Sequence, residues 1–131
     1  MIDTDDEGWE LISSYSRQQA IEDGILVDVS GVAPDLVANA GIKLHVAMTN
    51  TVWGEYVEVP EGVTGQDWKG RLWDILWLFR CAAKAAKDNT IYFSVRVSND
   101  DEAPREARLK AVCGPDDEGK PCLTIMAADE D

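Results

Sequence analysis

The stretch from Gly70 to Lys87, GRLWDILWLFRCAAKAAK, is the most hydrophobic long segment of the chain, and it constrains the fold more than any other. Leu72, Leu76, Phe79, Ala83 and Ala86 recur at three- and four-residue steps, and Ile75 and Ala82 widen that line, which is the period of one helix face. Trp73 and Trp77 form a second line one turn apart. Only Arg71, Asp74, Arg80, Lys84 and Lys87 interrupt the apolar surface, so this helix is expected to be covered by a sheet on one side and by another element on the other. The two Trp are expected in the core. Asp67 is placed to start the helix, and Lys84 and Lys87 to meet the negative end of its dipole. The segment is too short and too charged for a bilayer, which requires roughly 20 consecutive apolar residues.

After Asp88 and Asn89 the period drops from 3.6 to 2. Ile91, Phe93, Val95 and Val97 share one side, with Tyr92, Ser94, Arg96 and Ser98 on the other. The polar turn NDDEAP leads to Arg105–Cys113, where Ala107, Leu109, Ala111 and Cys113 alternate with Glu106, Arg108, Lys110 and Val112, and GPDDEGKP leads to Cys122–Ala127. Three strands with short connections predict an antiparallel meander, one face on the central helix and one in water.

The first half is read as short elements. Ser16 with Gln19 three residues on is a capping box that opens a short helix, and Gly24 fits its left-handed stop. Ile25 to Val29 is expected as a strand. Pro34 suits the first turn of a second short helix that Gly41 ends, Lys43 to Met48 alternates as a strand, and Thr49 is placed to cap a third helix. The fold class is therefore α+β: a C-terminal three-stranded antiparallel meander plus one or two N-terminal strands, packed on a central Trp-rich helix, with short N-terminal helices. Residues 1–10 read as an acidic tail and residues 11–131 as one domain, which a chain of 131 residues with 45% hydrophobic content can sustain.

Charge is the one compositional extreme. The formal net charge is −13, and up to Gly62 12 Asp and Glu face only Arg17 and Lys43, giving −10, whereas from Val63 on 13 acids face 10 bases, giving −3. A field of that sign repels nucleic acid and attracts basic protein surfaces. Solubility alone is a sufficient second reason for it. The opening MIDTDDEGWE lacks the basic start and apolar run of a secretory signal, and three Cys at spacings that suit no zinc motif agree with a reducing, cytoplasmic compartment.

No residue set announces a reaction. His45 is the only histidine, without a second His to share a metal, and reads as structural or surface. Cys113 and Cys122 flank the last hairpin loop and are placed to face each other, although the compartment argues against a disulfide, and Cys81 reads as a small buried hydrophobe. Asp116, Asp117 and Glu118 lack the spacing of an EF-hand loop and read as an exposed turn, and Gly62, Gly65 and Gly70 form no phosphate loop. Asp23 and Asp28 flank a strand as a carboxylate pair, but helix-end and turn duties account for both. Arg96, Arg105, Arg108 and Lys110 are expected on the solvent face of the meander, chiefly neutralising nearby acids. No cofactor and no metal are expected.

Several stretches together resemble a family of small uncharacterised acidic bacterial proteins often carried on plasmids, phages and integrated elements. They are Ser14-Tyr15-Ser16-Arg17, Gln19-Ala20-Ile21, Asp23 through Ser30 (DGILVDVS), Gly70 through Trp77 (GRLWDILW), Cys113-Gly114-Pro115 and Leu123-Thr124-Ile125-Met126. The resemblance carries no activity. It implies a mobile-element setting, in which small acidic proteins block host defence proteins. Charge and resemblance together give the expected function: a non-catalytic binding protein that occupies a basic nucleic-acid-binding surface of a restriction or CRISPR type partner, through Asp3, Asp5, Asp6, Glu7, Glu10, Glu22, Asp23, Glu55 and Glu58. The alternatives are a small enzyme using Arg17, Asp23 and Asp28, or a structural homodimeric module.

Overall fold

The computed structural model describes residues 16–59, 61, 67–97 and 105–130. The acidic tail with Asp3, Asp5, Asp6, Glu7 and Glu10, the glycines at 62 and 65, and the NDDEAP turn lie outside the described residues.

Helix α1, Arg17–Glu22, starts where the sequence places it: Ser16 Oγ accepts from the Gln19 amide while the Gln19 side chain reaches back, and Gly24 takes the left-handed conformation at φ 78°. Strand β1 spans only Leu26–Asp28. It is cut short because Asp28 turns its carboxylate onto the Gly31 amide at 3.0 Å and caps a one-turn helix, α2, Val29–Val32, that the strand pattern concealed. Helix α3, Pro34–Asn39, follows with Pro at its first position, and strand β2 covers His45–Thr49. Thr49 caps the next helical turn, α4, Asn50–Val52, through the Val52 amide at 3.3 Å, after which the chain widens into a π-helical segment, Trp53–Val57.

The long helix α5, Trp68–Ala83, is capped by Asp67, which accepts from the Gly70 amide at 2.7 Å. Arg80 is the base of its last turn; Lys84 is the capping residue and Lys87 falls beyond. Strands β3, Thr90–Val97, β4, Arg105–Pro115, and β5, Pro121–Ala127, form the expected meander. Both N-terminal strands join it, giving a five-stranded mixed sheet in the order β1-β2-β5-β4-β3, with β2 parallel to β5 and every other pair antiparallel.

One face of the sheet buries Val46, Met48, Phe93, Val95, Leu109, Ala111, Leu123 and Ile125 against Leu72, Ile75, Leu76 and Phe79 of α5. At roughly 25 cal/mol per Å² of apolar surface, this interdigitated layer is the main source of stability. The outer face of α5 is open, contrary to the expectation of cover on two sides: Trp77 is 45% exposed and stacks on half-buried Trp73, ring centroids 5.8 Å apart. Two indoles covering each other shed water without a further layer. Cys81 is likewise exposed, because it falls on that outer face. Cys113 pairs with Leu123 and Gly114 with Cys122, so the two cysteines are one residue out of register and point to opposite faces; both are free. Among the described residues no helix is long and apolar enough to cross a membrane.

Candidate functional site

The second face of the sheet is not simply wet. At its β1-β2-β5 side Ala47 and Cys122 are buried, and α1 is fastened there by its first residue. Arg17 donates from Nη1 to Thr124 Oγ1 at 2.6 Å and from Nη2 to the Leu123 carbonyl at 2.8 Å, and its buried Nε has no hydrogen-bond partner among the described residues. From the other side Asp117 accepts the Arg17 amide at 2.9 Å and the Gln18 amide at 3.0 Å, so the turn between β4 and β5 clamps the start of α1. The turn is itself braced: Asp116 Oδ1 accepts the amides of Glu118 and Lys120, each at 2.9 Å. Those two bonds, from Lys120 first and then Glu118, hold the Asp116 carboxyl below its ordinary value.

Between clamp and sheet lies a cleft of about 300 Å³, lined by Arg17, Gln18, Ile21, Asp28, His45, Asp116, Asp117 and Glu118. On its floor His45 Nε2 donates to Asp28 Oδ1 at 2.8 Å, with both side chains over a third exposed. Asp28 therefore has two duties, capping α2 and orienting the imidazole. The absence of a side chain at residue 31 makes this possible, since a Cβ on Gly31 would stand 2.6 Å from Asp28 Oδ2. His45 and Asp28 meet because Asp28 registers with Ala47, which puts His45 on the same face of the neighbouring strand at the diagonal position. In register with His45 on its other side is Cys122, whose thiol burial pushes up, so it is not the thiolate a Cys–His nucleophile requires. Among the described residues no group of three His, Cys, Asp or Glu is arranged to hold a metal.

Of the residues read as an enzymatic set, the cleft gathers Arg17 and Asp28, while Asp23 is the capping residue at the end of α1 and does not line it. Of the acids read as partner contacts, Glu22 adjoins the cleft through its bond from Gln18 Nε2 at 3.2 Å, and Asp23 follows it. Glu55 and Glu58 stand apart, on the π-helical segment and just after it, beyond the opposite end of β2. The turn acids and His45 were not selected from sequence. Their partners lie about a hundred and about 17 residues away respectively, and only strand register brings them together.

The expected basic stripe is also rearranged. Arg96, Arg108 and Lys110 do fall on the second face, but Arg105 registers with Val97 and so belongs to the parity of the core face, at the ladder's end. None of the four makes an ion pair among the described residues, where the bridge between Lys120 and Glu118 is the one joining Lys or Arg to a carboxylate.

The fold and site thus define an α+β protein with an acid-rimmed surface cleft built around an Asp–His pair. The chain belongs to a family of unknown function, DUF6573, whose model matches residues 4–131. No curated protein and no solved structure matches it.

Proposed function

We propose that this chain is a non-catalytic acidic binding protein whose cleft end docks on a basic, normally nucleic-acid-facing surface of a partner. The observation that carries the reading is the acid-rich rim. Glu22, Asp28, Asp116, Asp117 and Glu118 converge from three elements, while the neighbouring guanidinium of Arg17 is directed into β5, and the bridge from Lys120 to Glu118, 3.6 Å long, joins side chains about three-quarters exposed, where it is worth little. The resemblance to mobile-element proteins supplies the setting: the partner is a host defence protein of the restriction or CRISPR kind, and the chain inhibits it in the cytoplasm by standing in for nucleic acid. Affinity capture from host lysate in rising salt tests this, beside a variant carrying Glu22→Lys and Glu118→Lys. A partner held at low salt, released as ionic strength rises and lost to the double variant is the expected result. Retention indifferent to salt and to charge reversal defeats it.

The Asp28–His45 pair favours one second reading, a small enzyme using Arg17, Asp28 and His45 rather than Asp23. An oriented imidazole beside a fixed cation is a general acid–base arrangement. A metabolite mixture that shifts the His45 ring resonances in NMR, and fails to do so in Asp28→Asn, supports it; ring resonances that no metabolite moves remove it.

A further inference from the structure

The margin of the sheet opposite the cleft carries an inference independent of the docking proposed above. Strand β3 is an edge of eight residues, TIYFSVRV, with no strand beyond it among the described residues. The Cys113 amide donates to the Asn89 carbonyl at 2.8 Å, so odd-numbered residues direct their main-chain groups to β4, and by alternation Thr90, Tyr92, Ser94 and Arg96 direct theirs outward. Those outward groups hydrogen-bond to nothing among the described residues. Proteins ordinarily blunt such an edge with brevity, bulges, Pro or several charges. Strand β1, the other edge, is blunted by its three-residue length. β3 has high strand propensity throughout and one charge, Arg96.

We infer that β3 pairs antiparallel with β3 of a second copy of this chain, extending the sheet across a two-fold axis centred on Ser94. The segment is self-complementary in that register. Ser94 meets Ser94, Phe93 meets Val95 on the helix-covered face, and Tyr92, 53% exposed, meets Arg96, giving two symmetric cation–π pairs with no like charges opposed within Thr90–Val97. On the flank of α5 above this edge, Arg71, Asp74 and Ile75 adjoin Val95, Arg96 and Val97, and Leu78, one turn on from Asp74, is 37% exposed. Charge selects the same margin. A chain of net charge −13 repels its own copy, yet Thr90–Val97 contains no acid. Joining at β3 leaves the two acidic clefts on opposite outer sides, with the β2 strands about seven strand spacings or on the order of 30 Å apart. That is several Debye lengths at physiological ionic strength, about 8 Å each.

Multi-angle light scattering at about 0.2 mM, where a Kd of about 10 µM leaves most chains paired, reads the mass directly. The expected mass is that of two chains, and added salt tightens the pairing by screening the net repulsion, the reverse of its effect on the docked partner. Ser94→Pro removes an outward amide and none of the ladder to β4, so circular dichroism stays native while the dimer is lost. Tyr92→Lys opposes Arg96 and raises Kd at least about tenfold, whereas Tyr92→Glu retains the dimer, and Tyr92→Lys with Arg96→Glu restores it. A wild-type chain of single mass overturns the inference, as does a dimer that survives both Ser94→Pro and Tyr92→Lys.

Discussion

The two margins of this sheet are built in opposite ways. At the β3 margin an eight-residue strand pairs with its neighbour through a hairpin, its side chains alternate strictly, and a 16-residue helix lies across it. At the β1 margin the strand is three residues long, and what holds the surface together is a set of polar ties between distant parts of the chain: Arg17 to Leu123 and Thr124, Asp117 to the start of α1, and His45 to Asp28. Periodicity makes a smooth, repetitive edge. Long-range polar ties make a concave, charged one, because each cross-link stops a helix or a turn from packing flat on the sheet. A docking surface for an irregular partner belongs to the second kind of margin, and pairing of like strands to the first.

The largest effect separates the shared core from both margins. Leu76 is fully buried between α5 and the sheet, so Leu76→Ala should cost about 2–5 kcal/mol in urea unfolding and lower hydrogen-exchange protection in β1 and β3 alike. Loss confined to one margin would show that the two do not hang on one core. Next in size, Arg17→Met removes two charge-assisted hydrogen bonds at the cleft and should cost about 1.5–3 kcal/mol. Here protection should fall in α1 and the turn after β4 while the β3–β4 ladder keeps its own. A β3–β4 ladder loosened equally would erase the contrast. The smallest effect is a pH dependence. Because its two amide bonds lower the Asp116 carboxyl below the ordinary value of 3.8, the stabilisation of that turn is present above 3.8 and is lost as pH falls through the lower folded value. Asp116→Asn should therefore lower stability slightly at neutral pH, leave it nearly unchanged in strong acid, and so flatten the acid limb of the stability curve. An unaltered acid limb would place that pH dependence on other carboxylates.

The sequence by itself determined everything that repeats over neighbouring residues. The long helix after Asp67, the capping box at Ser16 and the caps at Thr49 and Asp67, the left-handed stop at Gly24, the helix end at Gly41, and the three strands of the meander all follow from spacing and local hydrogen bonds, and all stand in the structure. Where local rules compete, the reading slipped: Asp28 satisfies both a strand pattern and a helix cap, and the cap prevails because it leaves no orphan amide at Gly31. What only the tertiary structure decided is who meets whom across the sheet. A parallel partnership between β2 and β5, unheralded by any local pattern, sets His45 beside Cys122, and the antiparallel one between β1 and β2 sets Asp28 on His45. Register is fixed by which faces the whole core must bury, so the cleft, its acids and its one imidazole come into being only once the chain has folded.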